Sequence, residues 1–312
     1  MRITITGAAG FIGSNLCLKM LKDGVQCTGI DKLTDYYNID QKRANLEPLL
    51  KFPNFTFFEK DLREEELKKE FSDTDAVLHF AAQPGVFRSW GENFDVYVEN
   101  NIKATQYILE ILKNRPQIPL IFSSSSSVYG DTDKYPMRED NILRPISPYG
   151  LTKESCEKLI ELYNLNFGVK FLNLRYFTVF GPSQRPDMAF HKFFHAILKS
   201  EPINIYGDGK QIRDFTYVDD VTDFIILLLK KGEWNDTLNI GGGNHISVNE
   251  VLEIIFAVSG KRTELKRTGE EKGDMKKTIA DISKAKKYGY DPRHSLREGL
   301  QNEWEWAERF YR

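Results

Sequence analysis

Cysteine is scarce in this chain: Cys17, Cys27 and Cys156 are odd in number, scattered, and lack metal-ligand spacing. This argues against a disulfide framework or a cysteine-built metal centre, so no metal is expected, and the thiols fit small buried apolar residues in a reducing cytosol. Neither sign of charge dominates. Lys and Arg number 43 against 45 Asp and Glu, a net charge of −2, which gives no reason to expect nucleic acid or an anionic membrane as partner. Long hydrophobic runs are missing too: "FIILLLKK" is far too short to span a bilayer. Residues 1–6 run straight into a glycine-rich turn, so no signal peptide is expected. No repeat appears, and serines 123–127 form the one low-complexity stretch. What is present, 41% hydrophobic and 28% charged residues over 312 positions, suits a soluble cytoplasmic protein with a large core and room for two lobes.

Short β-rich runs alternate with helix-length segments. "RITITG", "VQCTGID", "FTFFEKD", "AVLHFAA", "PLIFSSSS" and "VKFLNLRYF" are mostly separated by helical patterns, and "TLNIGGG" adds one more strand. Such alternation predicts βαβ units, hence an α/β fold with a doubly wound parallel sheet of about seven strands. After about residue 178 the pattern breaks into "GPSQRPDM" and "EPINIYGDGK", which predicts a smaller lobe.

"TGAAGFIG" sets Gly7, Gly10 and Gly13 directly after the first strand and at the start of a helix. The first glycine permits the tight turn, the second lets a pyrophosphate approach the helix N-terminus, and the third lets helix and strand pack closely. Asp31 ends the next strand, where a carboxylate binds both ribose hydroxyls and repels a 2′-phosphate, favouring NAD over NADP; Lys32 beside it softens that preference. The bland alternative is an ordinary βα turn with chance glycines. The predicted layout is a Rossmann NAD-binding domain of residues 1–177 and 212–242, with 178–211 and 243–312 as the substrate lobe.

"FSSSSSVYG" should emerge at the carboxyl edge of the sheet, where open α/β folds bind ligands. About twenty residues later comes "SPYGLTK", a helix start with Ser147 as cap and Pro148 in the first turn. Tyr149 and Lys153, four apart, then share a helix face. A tyrosine is a poor base at neutral pH unless a nearby ammonium or an oxidised nicotinamide lowers its pKa, and a serine hydroxyl can then relay the proton. On this reading Tyr149, Lys153 and Ser125 are the catalytic candidates.

Together these segments resemble the extended short-chain dehydrogenase/reductases that act on nucleotide sugars. The resemblance covers almost the whole chain and rests on "TGAAGFIG", Asp31, "DL" at 61–62, "FAAQ" at 80–83, "SSSSVYG", "YGLTK", "LRYFTVFGP" and "RDFTYVDD". It implies that Asp61 and Leu62 lie near the adenine, that Ala81 and Gln83 line the cofactor's path, and that Tyr149 and Lys153 also hold the nicotinamide ribose. Phe11, Ile12, Lys32, Phe80, Ala82, Asn100, Ser123 and Tyr176 complete the implied cofactor set. Arg213 would meet the diphosphate of a UDP-sugar, with Asp274 nearby, and Tyr206 would stack on the base. Without the family context, a surface salt bridge and plain packing would be the simpler readings for Arg213 and Tyr206. A homodimer built from helices at roughly 98–114 and 149–167 is implied as well.

Members of this family open with hydride removal from sugar C4. Dehydratases and decarboxylases typically carry an acidic side chain in the two positions after the catalytic serine or threonine; here stand Ser126 and Ser127. The resemblance therefore implies 4-epimerisation. "DYYNIDQKRANL" and "RYFTVFGPSQRPDMAF" resemble the UDP-glucuronate 4-epimerase branch, and UDP-glucose 4-epimerases usually carry asparagine where Thr178 stands. Ser126, Ser127, Thr178 and Arg185 could receive a uronate carboxylate, for which a guanidinium is well shaped; alternatively Arg185 is a solvent-facing loop residue. Arg88 in "QPGVFRSW" would contact the sugar or support its loop. Many hexose epimerases have arginine before "GD" where this chain has "EEKGD", so that diphosphate contact is in doubt and Lys272 is its candidate replacement. UDP-glucose or UDP-N-acetylglucosamine 4-epimerase, and more remotely a non-catalytic NAD sensor, stay open.

Overall fold

In the computed structural model, residues 1–269 and 275–312 are described. Twelve strands run in chain order: β1 Arg2–Thr6, β2 Gln26–Asp31, β3 Phe55–Glu59, β4 Ala76–His79, β5 Leu120–Ser125, β6 Phe171–Tyr176, β7 Val179–Phe180, β8 Ile203–Tyr206, β9 Ile212–Tyr217, β10 Asp236–Ile240, β11 Asn244–Ser247 and β12 Leu265–Thr268. Seven form one sheet in the order β10-β6-β5-β4-β1-β2-β3, and every pairing in it is parallel. These are the seven segments expected from the sequence. β4 and β6 are buried along their whole length, as strands covered on both faces must be.

Helices supply both covers. On one face, Leu16, Met20 and Leu21 of helix Phe11–Lys22 share a core with Val221, Ile225 and Leu228 of helix Val218–Lys231. On the other, Ile108, Leu109 and Leu112 of helix Ala104–Leu112 join Cys156 and Ile160 of helix Pro148–Phe167 against Val77, Leu120 and Phe122. All three cysteines are buried and free. The chain winds outward from β1 to β3, then crosses to β4. That reversal between β1 and β4 opens a crevice at the carboxyl edge, where ligands bind in such sheets.

The expected division assigned 212–242 to the NAD-binding domain, and the strands of that segment pair in two different sheets. β9 joins a three-stranded sheet, antiparallel to β11 and parallel to β7, whereas β10 pairs with β6 in the large sheet. A third, two-stranded sheet joins β12 to β8. Apolar packing crosses the boundary: Ile5 of β1, Phe180 of β7 and Trp304 of helix Leu296–Phe310 belong to one continuous core. The lobes therefore share an interior. Among the described residues no helix is long and apolar enough to cross a membrane.

Candidate active site

A cavity of about 510 Å³ opens at the carboxyl edge of the large sheet. Its floor is the β1 turn. Gly7 has φ +71°, and a Cβ there would lie 2.7 Å from the Ala81 amide nitrogen; a Cβ on Gly13 would lie 2.2 Å from the Gly7 carbonyl oxygen. Only glycine fits either place. Gly10 caps helix Phe11–Lys22 without a side-chain oxygen, so the first amides of that 12-residue helix remain for an anion. Asp31 ends β2 beside them and accepts from the Leu33 amide at 2.9 Å and the Ala9 amide at 3.2 Å. Burial raises its pKa, opposed chiefly by the Lys42 ammonium.

Every residue expected to hold the cofactor lines this cavity: Gly7, Gly10, Phe11, Ile12, Gly13, Asp31, Lys32, Asp61, Leu62, Phe80, Ala81, Ala82, Gln83, Asn100, Ser123, Tyr149, Lys153 and Tyr176. Lys32 does not stand as a bare cation beside Asp31. Its Nζ pairs with Asp61 at 2.8 Å, and Arg63 grips the same carboxylate, which is held well below the usual carboxylate range mainly by the Arg63 hydrogen bond. Asn100 lies in a π-helical turn, Val98–Lys103, of the kind that often marks functional sites. Its neighbour Asn101 accepts from the Gln83 amide at 2.7 Å and donates to Thr152 Oγ1 at 2.9 Å, tying the β4 loop to the helix that carries Tyr149. The Tyr176 and Thr278 hydroxyls are buried without a hydrogen-bond partner among the described residues, and both residues line the cavity. Together with the glycine cradle and Asp31, they fit a dinucleotide.

Tyr149 and Lys153 sit in the first turns of helix Pro148–Phe167, as expected. Ser147 Oγ accepts from the Gly150 amide at 3.1 Å and Pro148 opens the helix. The Ser125 hydroxyl accepts from the Ser127 amide at 3.1 Å and stands beside the Tyr149 phenol, whose pKa it lowers along with Arg185; burial outweighs both and raises the phenol. The expected depression of Tyr149 by its neighbouring ammonium is not what the geometry provides. Lys153 Nζ donates to the Ser123 carbonyl at 2.6 Å and lies 4.8 Å from the Phe122 ring centre. Burial pushes Lys153 itself down to about 8, so its charge is spent on the strand backbone.

One turn further along that helix, Glu157 is completely buried. It accepts from the Ser124 hydroxyl and takes a forked pair from Arg175, whose Nη2 lies 2.7 Å away. Arg175 also donates to Tyr129 Oη at 2.9 Å. This network bolts the helix to β5 and β6 directly behind Ser125. Sequence reasoning missed it, although Glu157 follows Lys153 at the same four-residue spacing that links Lys153 to Tyr149.

The sugar end is built from Ser125, Ser126, Ser127, Thr178 and Arg185, all of which line the cavity. Arg185 is not a solvent-facing residue, and its guanidinium does not wait unpaired: Nε and Nη2 grip Asp187 at 2.9 and 3.0 Å. Asp187, Tyr36 and Lys42 were not singled out from the sequence, and all three line the wall. Arg213 does so as well, donating to the Ile212 carbonyl at 3.0 Å. Arg88 and Tyr206 are not among the lining residues. Phe87 stands in the wall instead, its ring 5.9 Å from that of Tyr206, and Arg88 turns outward over the Tyr36 ring at 5.4 Å. Asp274 and Lys272 lie outside the described residues.

A nucleotide cradle on a doubly wound sheet, with a serine–tyrosine–lysine cluster at its carboxyl edge, defines a class that comparison confirms. The chain belongs to the NAD dependent epimerase/dehydratase family, whose model matches residues 3–241. It is 40% identical over 309 residues to a UDP-glucuronate 4-epimerase of Thermodesulfobacterium geofontis, covering 97% of this chain and 95% of that protein. The crystal structure of UDP-glucuronic acid 4-epimerase from Bacillus cereus, in complex with UDP-glucuronic acid and NAD, superposes with a TM-score of 0.95 at 40% identity, covering both chains entirely. A Thermotoga maritima UDP-glucose 4-epimerase with UDP-glucose superposes with a TM-score of 0.91 at 33% identity, again over both whole chains.

Proposed function

We propose that this enzyme interconverts UDP-glucuronate and UDP-galacturonate by reversible oxidation at C4. The observation that carries the reading is the composition of the sugar end: three serine hydroxyls, Thr178 and a largely covered arginine converge beside Tyr149, and the one carboxylate among the described residues there, Asp187, is taken up by Arg185. Among the described residues of that group, no acid is left to abstract a C5 proton, as dehydration would need. Tyr149 takes the proton from the C4 hydroxyl and later returns it, with Ser125 bridging phenol and sugar oxygen. NAD, which the glycine turn and Asp31 would hold, would supply the hydride acceptor and donor at C4 and a positive charge that offsets the burial raising the phenol. Lys153 holds the Ser123 carbonyl and would hold the nicotinamide ribose. Ser126, Ser127 and Thr178 offer hydroxyls to the C6 carboxylate while the 4-keto sugar turns.

A non-catalytic sensor would have no need of the Tyr149–Ser125 contact, which sets that reading aside. UDP-glucose 4-epimerisation remains the second reading, because pairing with Asp187 cancels the charge of Arg185 and leaves the sugar end acceptable to a neutral hexose. Leu151, Leu162, Leu165 and Phe167 expose apolar surface along helix Pro148–Phe167, which supports the homodimer reading; light scattering coupled to gel filtration tests it. We place the enzyme in the cytoplasm. In separate incubations with UDP-glucuronate, UDP-glucose and UDP-N-acetylglucosamine, UDP-glucuronate should be turned over fastest, giving UDP-galacturonate. Denaturation should release bound NAD. Accumulation of NADH in step with turnover would instead mean a dehydrogenase.

A further inference from the structure

The Arg185–Asp187 pair takes no part in the proton and hydride transfers at C4. It is formed locally: the Met188 amide donates to the Arg185 carbonyl at 3.0 Å, closing a turn that sets both side chains on the cavity side. Asp187 occupies the Nε–Nη2 edge of the guanidinium, the edge on which a carboxylate lies in plane with both oxygens engaged. It also accepts from Tyr36 Oη at 3.3 Å. Both partners are ionised. Asp187 is lowered despite burial, chiefly by the Arg185 charge, and Asp187 in turn raises Arg185 against its burial. Roughly three-quarters of each side chain is covered, exposure being 22% and 24%, so water screens the pair poorly.

We infer that Asp187 is a specificity-determining residue, a resident carboxylate that cancels the charge of Arg185 and holds down the preference for a uronate over a neutral hexose. The inference rests on the functional reading above. A substrate carboxylate reaching Arg185 must use the end-on edge, Nη1 and Nη2, and then lies across one guanidinium from Asp187, roughly 7 Å between like charges. At the dielectric of a half-covered site, that repulsion weakens binding by about tenfold or more. A neutral C6 hydroxymethyl group feels none of it. The same repulsion acts on the epimeric product, which keeps its carboxylate, so Asp187 also hastens release.

The test is a pair of substitutions assayed on UDP-glucuronate and UDP-glucose, with retained NAD as the check on folding. Asp187→Asn keeps the shape and an acceptor oxygen but removes the charge; its KM for UDP-glucuronate should fall by at least about fivefold, and its preference for uronate over hexose should rise by a similar factor. Should that variant not fold, Asp187→Ser serves the same purpose. In the second arm, Arg185→Ala leaves Asp187 unpaired against the incoming carboxylate, and adding Asp187→Asn to it should recover part of the lost uronate activity. A raised or unchanged KM in Asp187→Asn, equal shifts on both substrates, or a double variant no better than Arg185→Ala would each overturn the inference. Turnover of UDP-glucuronate by the wild-type enzyme is measured first: its absence overturns the functional reading and this inference with it, whereas its presence lets the substitutions judge Asp187 alone.

Discussion

At the scale of single residues, the chemistry is asked of Tyr149, and the hydroxyl is the part that matters. Tyr149→Phe keeps the ring, and with it the edge-on contact to Tyr97 at 6.3 Å, so folding and NAD retention should survive. Turnover should fall by a factor of about a hundred or more, the usual scale for a lost acid–base group. Near-normal turnover in that variant would show the assignment to be wrong. Arg185→Ala should cost about tenfold to a hundredfold on UDP-glucuronate, from the loss of a charge-assisted hydrogen bond. A much smaller loss on UDP-glucose is expected, since its C6 carries no charge; equal losses would mean that Arg185 shapes its loop or meets the diphosphate.

Elements matter through their ends. Helix Pro148–Phe167 places Tyr149 at its second position, where fraying would move the phenol, and the Ser147 cap is what restrains it. Ser147→Ala should cost about 1 kcal/mol of stability, a fall of about 2 °C in melting temperature, and should lower kcat more than so small a loss of stability explains. The β1 turn is stricter. Any side chain at Gly13 collides with the Gly7 and Ala8 backbone of the turn after β1, so Gly13→Val should yield protein without bound NAD, checked by absorbance after denaturation. A variant that retained NAD fully would contradict the close packing described here.

For the molecule as a whole, the sharpest pH dependence comes from histidines sealed in the interior. His79 is completely buried, with Nδ1 2.7 Å from Thr6 Oγ1 and Nε2 3.1 Å from Thr105 Oγ1, and burial together with the Lys153 charge pushes it down to about 3. His191 is pushed down to about 4, chiefly by burial. Unfolding releases both to take a proton near pH 6.5, the ordinary value. Between that value and their native ones, the unfolded chain binds more protons, so stability is full above pH 6.5 and falls as the medium is acidified toward pH 4. Denaturant midpoints measured from pH 7.5 to 4.5 should show the decline, and His79→Gln should flatten part of it. A midpoint that rises on acidification would contradict the buried neutral assignment.

Much of this was legible in the chain alone, because local physics governs it. Alternating apolar runs specified the seven parallel strands, since a strand buried on both faces must be apolar throughout. Gly7, Gly10 and Gly13 announced the dinucleotide loop, and "SPYGLTK" announced both the cap and the Tyr149–Lys153 spacing, since helix geometry fixes which residues are neighbours. Proximity between distant segments was not legible. That Lys153 gives its charge to Ser123, that Glu157 and Arg175 meet behind Ser125, that β9 leaves the large sheet for β7 and β11, and that Phe87 packs between the cavity and Tyr206 all depend on how the layers stack. Asp187 stood in plain sight two residues beyond Arg185, but its role depends on a turn and on Tyr36 arriving from the β2 loop. The sequence by itself determined which local units form and what chemistry they carry; the tertiary structure alone decided which charges face one another, because burial and pairing are properties of the packed whole.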